Sequence, residues 1–283
     1  MHRIPTIAGA LVLVVAATLG PSGQAAAQDG GAARDIENPE TSPKWLRIRP
    51  GLFQDRMIGT NADAVLELEA PPRADDPAVV PVSIRTKIPQ RPDRYIDTVY
   101  LIVDNNPSPL AAVFRFSPDS GRADIETRLR VDEYSHVRAV ARMNDGSLVM
   151  ATRFVKASGG CSAPPDKDLE AAKATLGRMR LQVAGEVSEG KPALAQLMIS
   201  HPNNSGMAMN QLTRQYAPAH FVRKVDVTYA GRPVMSAEMD FSISENPNFR
   251  FWFVPRGEGV LKAEVVDSND LRFDTAVAVR AAN

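Results

Sequence analysis

The sequence contains one cysteine, Cys161, set between Gly159-Gly160 and Ser162-Ala163-Pro164-Pro165. A thiolate attacks an electrophilic sulfur and holds it as a covalent adduct, on which other enzymes can then work. Glycines leave the backbone permissive and place no bulk beside the thiol, while the two prolines stiffen the exit from the segment. The expectation is an exposed arm, with Gly159 and Gly160 supplying its flexibility and Cys161 serving as a covalent attachment point. From Phe154 to Cys161 an extended chain reaches about 25 Å, enough to enter a partner's cleft. A free thiol titrates near ~8.5, and the nearest cations, Lys156 and Lys167, are opposed by Asp166 and Asp168. An inert buried thiol is the competing reading, and it suits a cysteine inside a strand better than one in this setting.

Other chemistry is sparse. His136, His201 and His220 are far apart and show no metal-ligand spacing, so no metal site is expected. Met198, Met207 and Met209 near His201 are soft donors of the kind copper takes, but methionine in a β protein more often fills the core. A Cys161–His nucleophilic pair has no local signature to support it. The sequence has no nucleophile elbow, Gly-rich phosphate loop or haem-attachment motif. It is therefore read as a non-enzyme with no cofactor.

The elements that must position Cys161 are strands. Ala123, Ile125, Thr127, Leu129 and Val131 alternate with Asp124, Glu126, Arg128 and Arg130, a period of two that gives one buried and one solvated face. Val82, Ile84, Thr86 and Ile88 repeat the pattern, as do Ala112, Phe114 and Phe116. Asn144-Asp145-Gly146 is a hairpin signal between 137–143 and 148–155. Asn105-Asn106-Pro107 and Pro118-Asp119-Ser120-Gly121 read as turns. The second half shows the same character at Met179–Val183, Arg223–Tyr229, Val234–Ser242, Phe249–Phe253, Val260–Asp267 and Leu271–Arg280, with an irregular stretch from His201 to Ala219. Each half holds about seven strands. The fold class is all-β, with two immunoglobulin-like β-sandwich domains in tandem after a signal peptide.

The divisions follow. Residues 1–27 form a secretory signal, with Arg3 before an apolar stretch from Ile7 to Leu19 and small residues Ala25-Ala26-Ala27 at the cleavage point. Residues 28–58 are a leader and N-terminal arm, in which Trp45, Leu46, Ile48, Leu52 and Phe53 form a short helix or arm packed on the first domain. The first sandwich covers 59–156, the cysteine arm and linker 157–176 (a short helix expected over Asp166–Thr175), and the second sandwich 177–283. Lys+Arg and Asp+Glu are both 33, which argues against nucleic acid or an anionic membrane as partner. Export implies the periplasm, where structural cysteines come in pairs; a single cysteine needs another explanation.

Val99–Asp104, Asn105-Asn106-Pro107, Thr127–Val131 and Phe154–Cys161 resemble SoxY, the sulfur carrier of thiosulfate oxidation. Ile199–Pro202, Pro218-Ala219-His220-Phe221-Val222, Gly231–Val234 and Ser242–Pro247 resemble its partner SoxZ. The SoxY arm ends in Gly-Gly-Cys-Gly-Gly at a free C-terminus; here Ser162-Ala163-Pro164 follows the cysteine and the arm is tethered at both ends. The whole is similar to fused SoxYZ-like carriers associated with quinoprotein dehydrogenases. The resemblance implies that Cys161 carries a covalent, sulfur-containing intermediate. It also implies periplasmic redox partners, namely a quinoprotein dehydrogenase, a c-type cytochrome or sulfur-oxidation enzymes. A module bridging a dehydrogenase and its electron acceptor, with Cys161 incidental, is the other function class.

Overall fold

The computed structural model describes residues 38–59, 61–163, 174–209 and 214–281. The signal segment and most of the expected helix over Asp166–Thr175 lie outside these. The described chain opens with α1 (Pro43–Phe53). Eight strands follow: β1 (Ile58–Gly59), β2 (Leu66–Glu69), β3 (Val80–Thr86), β4 (Ile96–Val103), β5 (Leu110–Phe116), β6 (Ile125–Leu129), β7 (Ser135–Met143) and β8 (Leu148–Val155). The second half adds β9 (Met179–Ala184), β10 (Ala193–Ile199), β11 (Val222–Tyr229), β12 (Arg232–Met239), β13 (Asn248–Phe253), β14 (Gly259–Asp267) and β15 (Arg272–Val279). The alternation written in the sequence is the alternation of burial: Val80, Val82, Ile84 and Thr86 of β3 point inward, as do Phe249, Phe251 and Phe253 of β13.

The two sandwiches do not hang on a linker as separate beads. Their strands join edge to edge into two continuous layers. One is a nine-stranded sheet ordered β1-β8-β7-β4-β5-β12-β11-β14-β15, and the other a six-stranded sheet ordered β2-β3-β6-β13-β10-β9. The seam is the antiparallel pairing of β5 with β12, from Met235 opposite Phe116 to Met239 opposite Ala112, and of β6 with β13 at Arg250 opposite Glu126. Each half covers the strand edges the other would leave open, which removes two templates for unwanted pairing. The core is continuous across the seam; Phe114 of β5 meets Phe249 of β13 edge to face, ring centres 6.2 Å apart.

Helix α1 is the packed N-terminal arm that the aromatic residues implied. Ser42 caps it, its Oγ accepting from the Trp45 amide, and Trp45 and Phe53 lie buried on Ile102, Val140, Leu148 and Met150. These belong to the outer face of the nine-stranded sheet, which is why β7 is buried on both faces. Arg138 of β7 is buried with no exposed side-chain area. Its guanidinium forks onto Asp104 at 2.7–3.0 Å, lies 4.3 Å from the Trp45 ring centre and donates to the Pro39 carbonyl. A buried arginine is tolerated here because its charge and its donors are matched. No described helix is long and apolar enough to cross a membrane.

Candidate functional site

Beyond β8 the chain runs as an extended segment along the loop that follows β6. The Lys156 amide donates to the Pro72 carbonyl, that of Gly159 to Asp132 O at 2.7 Å, and that of Gly160 to Val131 O at 3.0 Å. The Cys161 amide donates to Asp132 Oδ1 at 3.2 Å. From the second half, the Ser205 hydroxyl donates to the Cys161 carbonyl. The Asn105-Asn106-Pro107 turn sets the receiving loop: Asn106 Oδ1 accepts from the Asp132 amide, and its Nδ2 donates to Arg130 O and to Ser242 Oγ. The segment is therefore docked in the seam between the halves.

This corrects the expectation of an exposed arm. Cys161 is 1 % exposed. Gly160 is a close-packing residue in this pose: a Cβ there would sit 2.1 Å from Pro77 O and 2.6 Å from Val131 O. Of the two, only Gly159 uses glycine's conformational range, with φ +86°, and a Cβ there would make no more than ordinary contact with Ser162 Oγ at 3.9 Å. The reason is the backbone: the three residues Gly159-Gly160-Cys161 offer donors and acceptors, and the β6 loop pairs with them.

Burial, reinforced by the charge of Asp132, pushes the Cys161 thiol up to about 12; Arg130 opposes the shift. In the docked pose the sulfur is a thiol, not a nucleophile. Arg130 is the second unusual group. Periodicity assigned it to the solvated face of β6, together with Asp124. Both are buried, at 3 % and 6 %. Asp124 is satisfied by the Thr86 amide and hydroxyl. Arg130 reaches Gly160 O at 3.2 Å and Asn203 O at 3.4 Å, and its Nε has no hydrogen-bond partner. Among the described residues no carboxylate lies within ion-pair distance of it. Burial pulls its pKa below the usual arginine value, opposed by the negative charges of Glu245 and Asp76. An arginine buried on carbonyls alone forgoes the compensation that a paired anion supplies.

The histidines also depart from expectation. His136 stays apart on β7, edge-on to Phe154. His201 and His220, separate in sequence, stand with ring centres 4.6 Å apart, both facing Asp267 at the end of β14. Their convergence brings together in space residues whose separation in sequence showed no metal-ligand spacing. Nothing in local spacing could have shown it, because Asp267 arrives from another strand. Arg130, Asp132 and Ser205 were likewise missed as neighbours of Cys161; the Arg-x-Asp pair after β6 was the available signal.

Comparison with known proteins gives two family matches. The family described as "Sulfur oxidation protein SoxY" matches residues 51–161, a span that ends on Cys161. "Sulphur oxidation protein SoxZ" matches residues 179–278. Among solved structures, the sulfur carrier protein SoxY from Chlorobium limicola f thiosulfatophilum is 25 % identical, covering 40 % of this chain and 94 % of that one with a TM-score of 0.33. A superoxide reductase (neelaredoxin) from Ignicoccus hospitalis is 17 % identical over 35 % of this chain and 93 % of that one, TM-score 0.32. No curated protein matches the sequence.

Proposed function

Taking as premise that this chain is a fused SoxYZ-like protein, a SoxY-family domain followed by a SoxZ-family domain, we propose that it is a non-enzymatic periplasmic carrier. It binds a sulfur-containing intermediate covalently on Cys161 and presents it to partner enzymes. The SoxY and SoxZ domains indicate a sulfur-oxidation carrier family. The observation that carries the finer reading is the docking of Cys161 in the seam, held by Asp132 from one half and Ser205 from the other. Both domains thus contribute to one thiol-bearing segment.

In this reading the docked pose is the resting state. A thiol near pKa 12 and 1 % exposed does not react with solutes, so loading follows undocking. The contacts that hold the segment are few and mostly single hydrogen bonds to backbone, each worth about 0.5–1.5 kcal/mol net. A partner that offers replacement contacts can draw the segment out. Because residues on both sides of Cys161 belong to one chain, it enters the partner as a loop, and the receiving site is an open groove. Candidate partners are a quinoprotein dehydrogenase, a c-type cytochrome or sulfur-oxidation enzymes.

Intact-mass measurement tests the reading. The chain is incubated with each candidate partner, thiosulfate and oxidised c-type cytochrome, which takes up the two electrons released as the thiolate and thiosulfate form an S–S bond, then analysed without reductant. A reductant-labile adduct on Cys161, absent from Cys161→Ser, is expected. The burial of Cys161 favours a second reading, a bridging module in which the thiol is incidental. That reading prevails if the partner complex forms and turns over equally well with Cys161→Ser and no adduct is found.

A further inference from the structure

We propose that His201, His220 and Asp267 form a binding site for a divalent first-row transition metal of the zinc type. The proposal stands apart from the carrier reading and needs no role for Cys161.

The donor atoms already converge. His220 Nε2 lies 2.7 Å and His201 Nε2 3.5 Å from the same oxygen, Asp267 Oδ2, and the three donor atoms all lie within 4.8 Å of one another. Around a tetrahedral ion with bonds of 2.0–2.1 Å, donors stand about 3.3 Å apart. The His220–Asp267 contact has to widen, and the two histidine nitrogens, within 4.8 Å of each other, have to draw together. Two imidazoles and one carboxylate are a donor set suited to zinc or iron(II), with a coordination position left over. The side chains of His201 and Asp267 are fully buried, while that of His220 is 18 % exposed, so the remaining position faces the solvent side.

The surrounding bonds hold the donors in place. Asp267 Oδ1 is occupied by the amides of Asn269 and Leu271 at 2.8 and 2.9 Å, which leaves Oδ2 for the cluster. Backbone bonds between Asn204 and His220 in both directions, 2.7 and 3.0 Å, pin the two ends of the loop together. Asn203 Oδ1 accepts from the Val222 amide, and its Nδ2 donates to Ile243 O.

One atom is left over: His201 Nε2 is buried and has no hydrogen-bond partner. The Asn203 amide donates to His201 Nδ1 at 3.1 Å, so in the ion-free molecule the ring proton sits on Nε2. Binding a cation there moves that proton to Nδ1 and gives up the Asn203 bond. Leaving the buried Asn203 amide facing a second N–H is a penalty of roughly five- to 150-fold, small against the affinity that three converging protein donors supply. Ser205, four residues beyond His201, is the donor to the Cys161 carbonyl, which places the ion where it would stiffen the floor under the cysteine segment.

The test uses the untagged full chain with Cys161→Ser, so that no thiol competes for the metal. Zinc titration by calorimetry, with cobalt(II) as a spectroscopic probe, is expected to show one equivalent bound, a raised melting temperature, and visible cobalt bands of four- or five-coordinate intensity. His220→Gln, at the partly exposed ligand, is expected to weaken zinc binding at least about 100-fold while leaving the ion-free melting temperature near that of its parent. Should that variant fail to fold, His201→Gln serves in the same role, and the cobalt spectrum of the parent decides by itself. No binding at about 100 µM zinc would overturn the proposal. So would unchanged affinity in a folded His220→Gln chain, or a cobalt spectrum of six-coordinate intensity.

Discussion

Gly160 is the position where sequence logic and packing disagree most sharply. Read as part of a flexible arm, it should accept a side chain with little effect on stability. In the docked pose a Cβ would overlap the Pro77 carbonyl, and backbone does not yield cheaply. Gly160→Ala is therefore expected to expel the segment from the seam. The sandwich stays folded, and native-state alkylation of Cys161 accelerates by about tenfold or more. Gly159→Ala, strained only by its positive φ, should have a smaller effect of roughly 1 kcal/mol on docking. Rates equal to the parent in both variants would mean the segment is not docked in solution. The pH dependence follows from the thiol. Its pKa in the docked pose is raised to about 12 from the roughly 8.5–9 of a free thiol. Between those values the docked state keeps a proton that the released state loses. The contribution to docking is thus full below about pH 9 and is lost as pH rises toward 12. Iodoacetamide should react slowly at pH 7.5 and disproportionately faster above pH 9, and Asp132→Asn should shift that rise to lower pH by removing a negative charge while leaving an oxygen to accept from the Cys161 amide. A pH 7.5 rate equal to that of a free thiol would refute the buried pose.

At the scale of elements, α1 is fastened by an interaction set that alternation alone does not reveal. Arg138 sits on a strand whose outward residues would ordinarily meet water. Trp45 and Phe53 cover that face instead, and the arginine survives burial through Asp104, Pro39 O and the Trp45 ring. Truncating a buried tryptophan costs about 3–5 kcal/mol. Trp45→Ala should lower the midpoint of denaturant unfolding correspondingly. Arg138→Met should cost about 3–5 kcal/mol by leaving Asp104 buried without its partner. The double variant Arg138→Met/Asp104→Leu should recover part of that loss, because an apolar pair leaves no orphaned charge. If the double variant is no better than the single one, the ion pair is not the reason Arg138 is tolerated. The bulky residues of 45–53 were legible as a packing surface, whereas its target, the outer face of β4, β7 and β8, was not, since any sheet face could have received it.

Across the whole molecule, the seam makes one body of two domains. Pairing of β5 with β12 runs through five register positions, and the core continues beneath it. Cleavage at a protease site inserted between residues 163 and 174 should therefore leave the halves associated, co-eluting on gel filtration and unfolding in a single transition. Two separate transitions, or separation at micromolar concentration, would show that the linker and not the seam unites them. A tethered pair also holds Ser205 near Cys161 at high effective concentration, which keeps the arm docked when no partner competes.

What the sequence determined by itself is the local part. Alternation at period two and turn residues such as Asn144-Asp145-Gly146 act over a few positions, so the all-β class, most strands and the two-part organisation could be read directly. The solitary cysteine and its glycines marked the segment that carries the chemistry proposed here. The tertiary structure decided what depends on distant chain meeting distant chain. It buried Cys161 and Arg130 by laying the arm between loops at 130–132 and 203–205. It joined the two sandwiches by edge pairing, and it brought His201 and His220 to Asp267. A hydrogen bond or a ligand set needs only proximity in space, and in a sheet that proximity is fixed by strand order and register, which local periodicity does not encode.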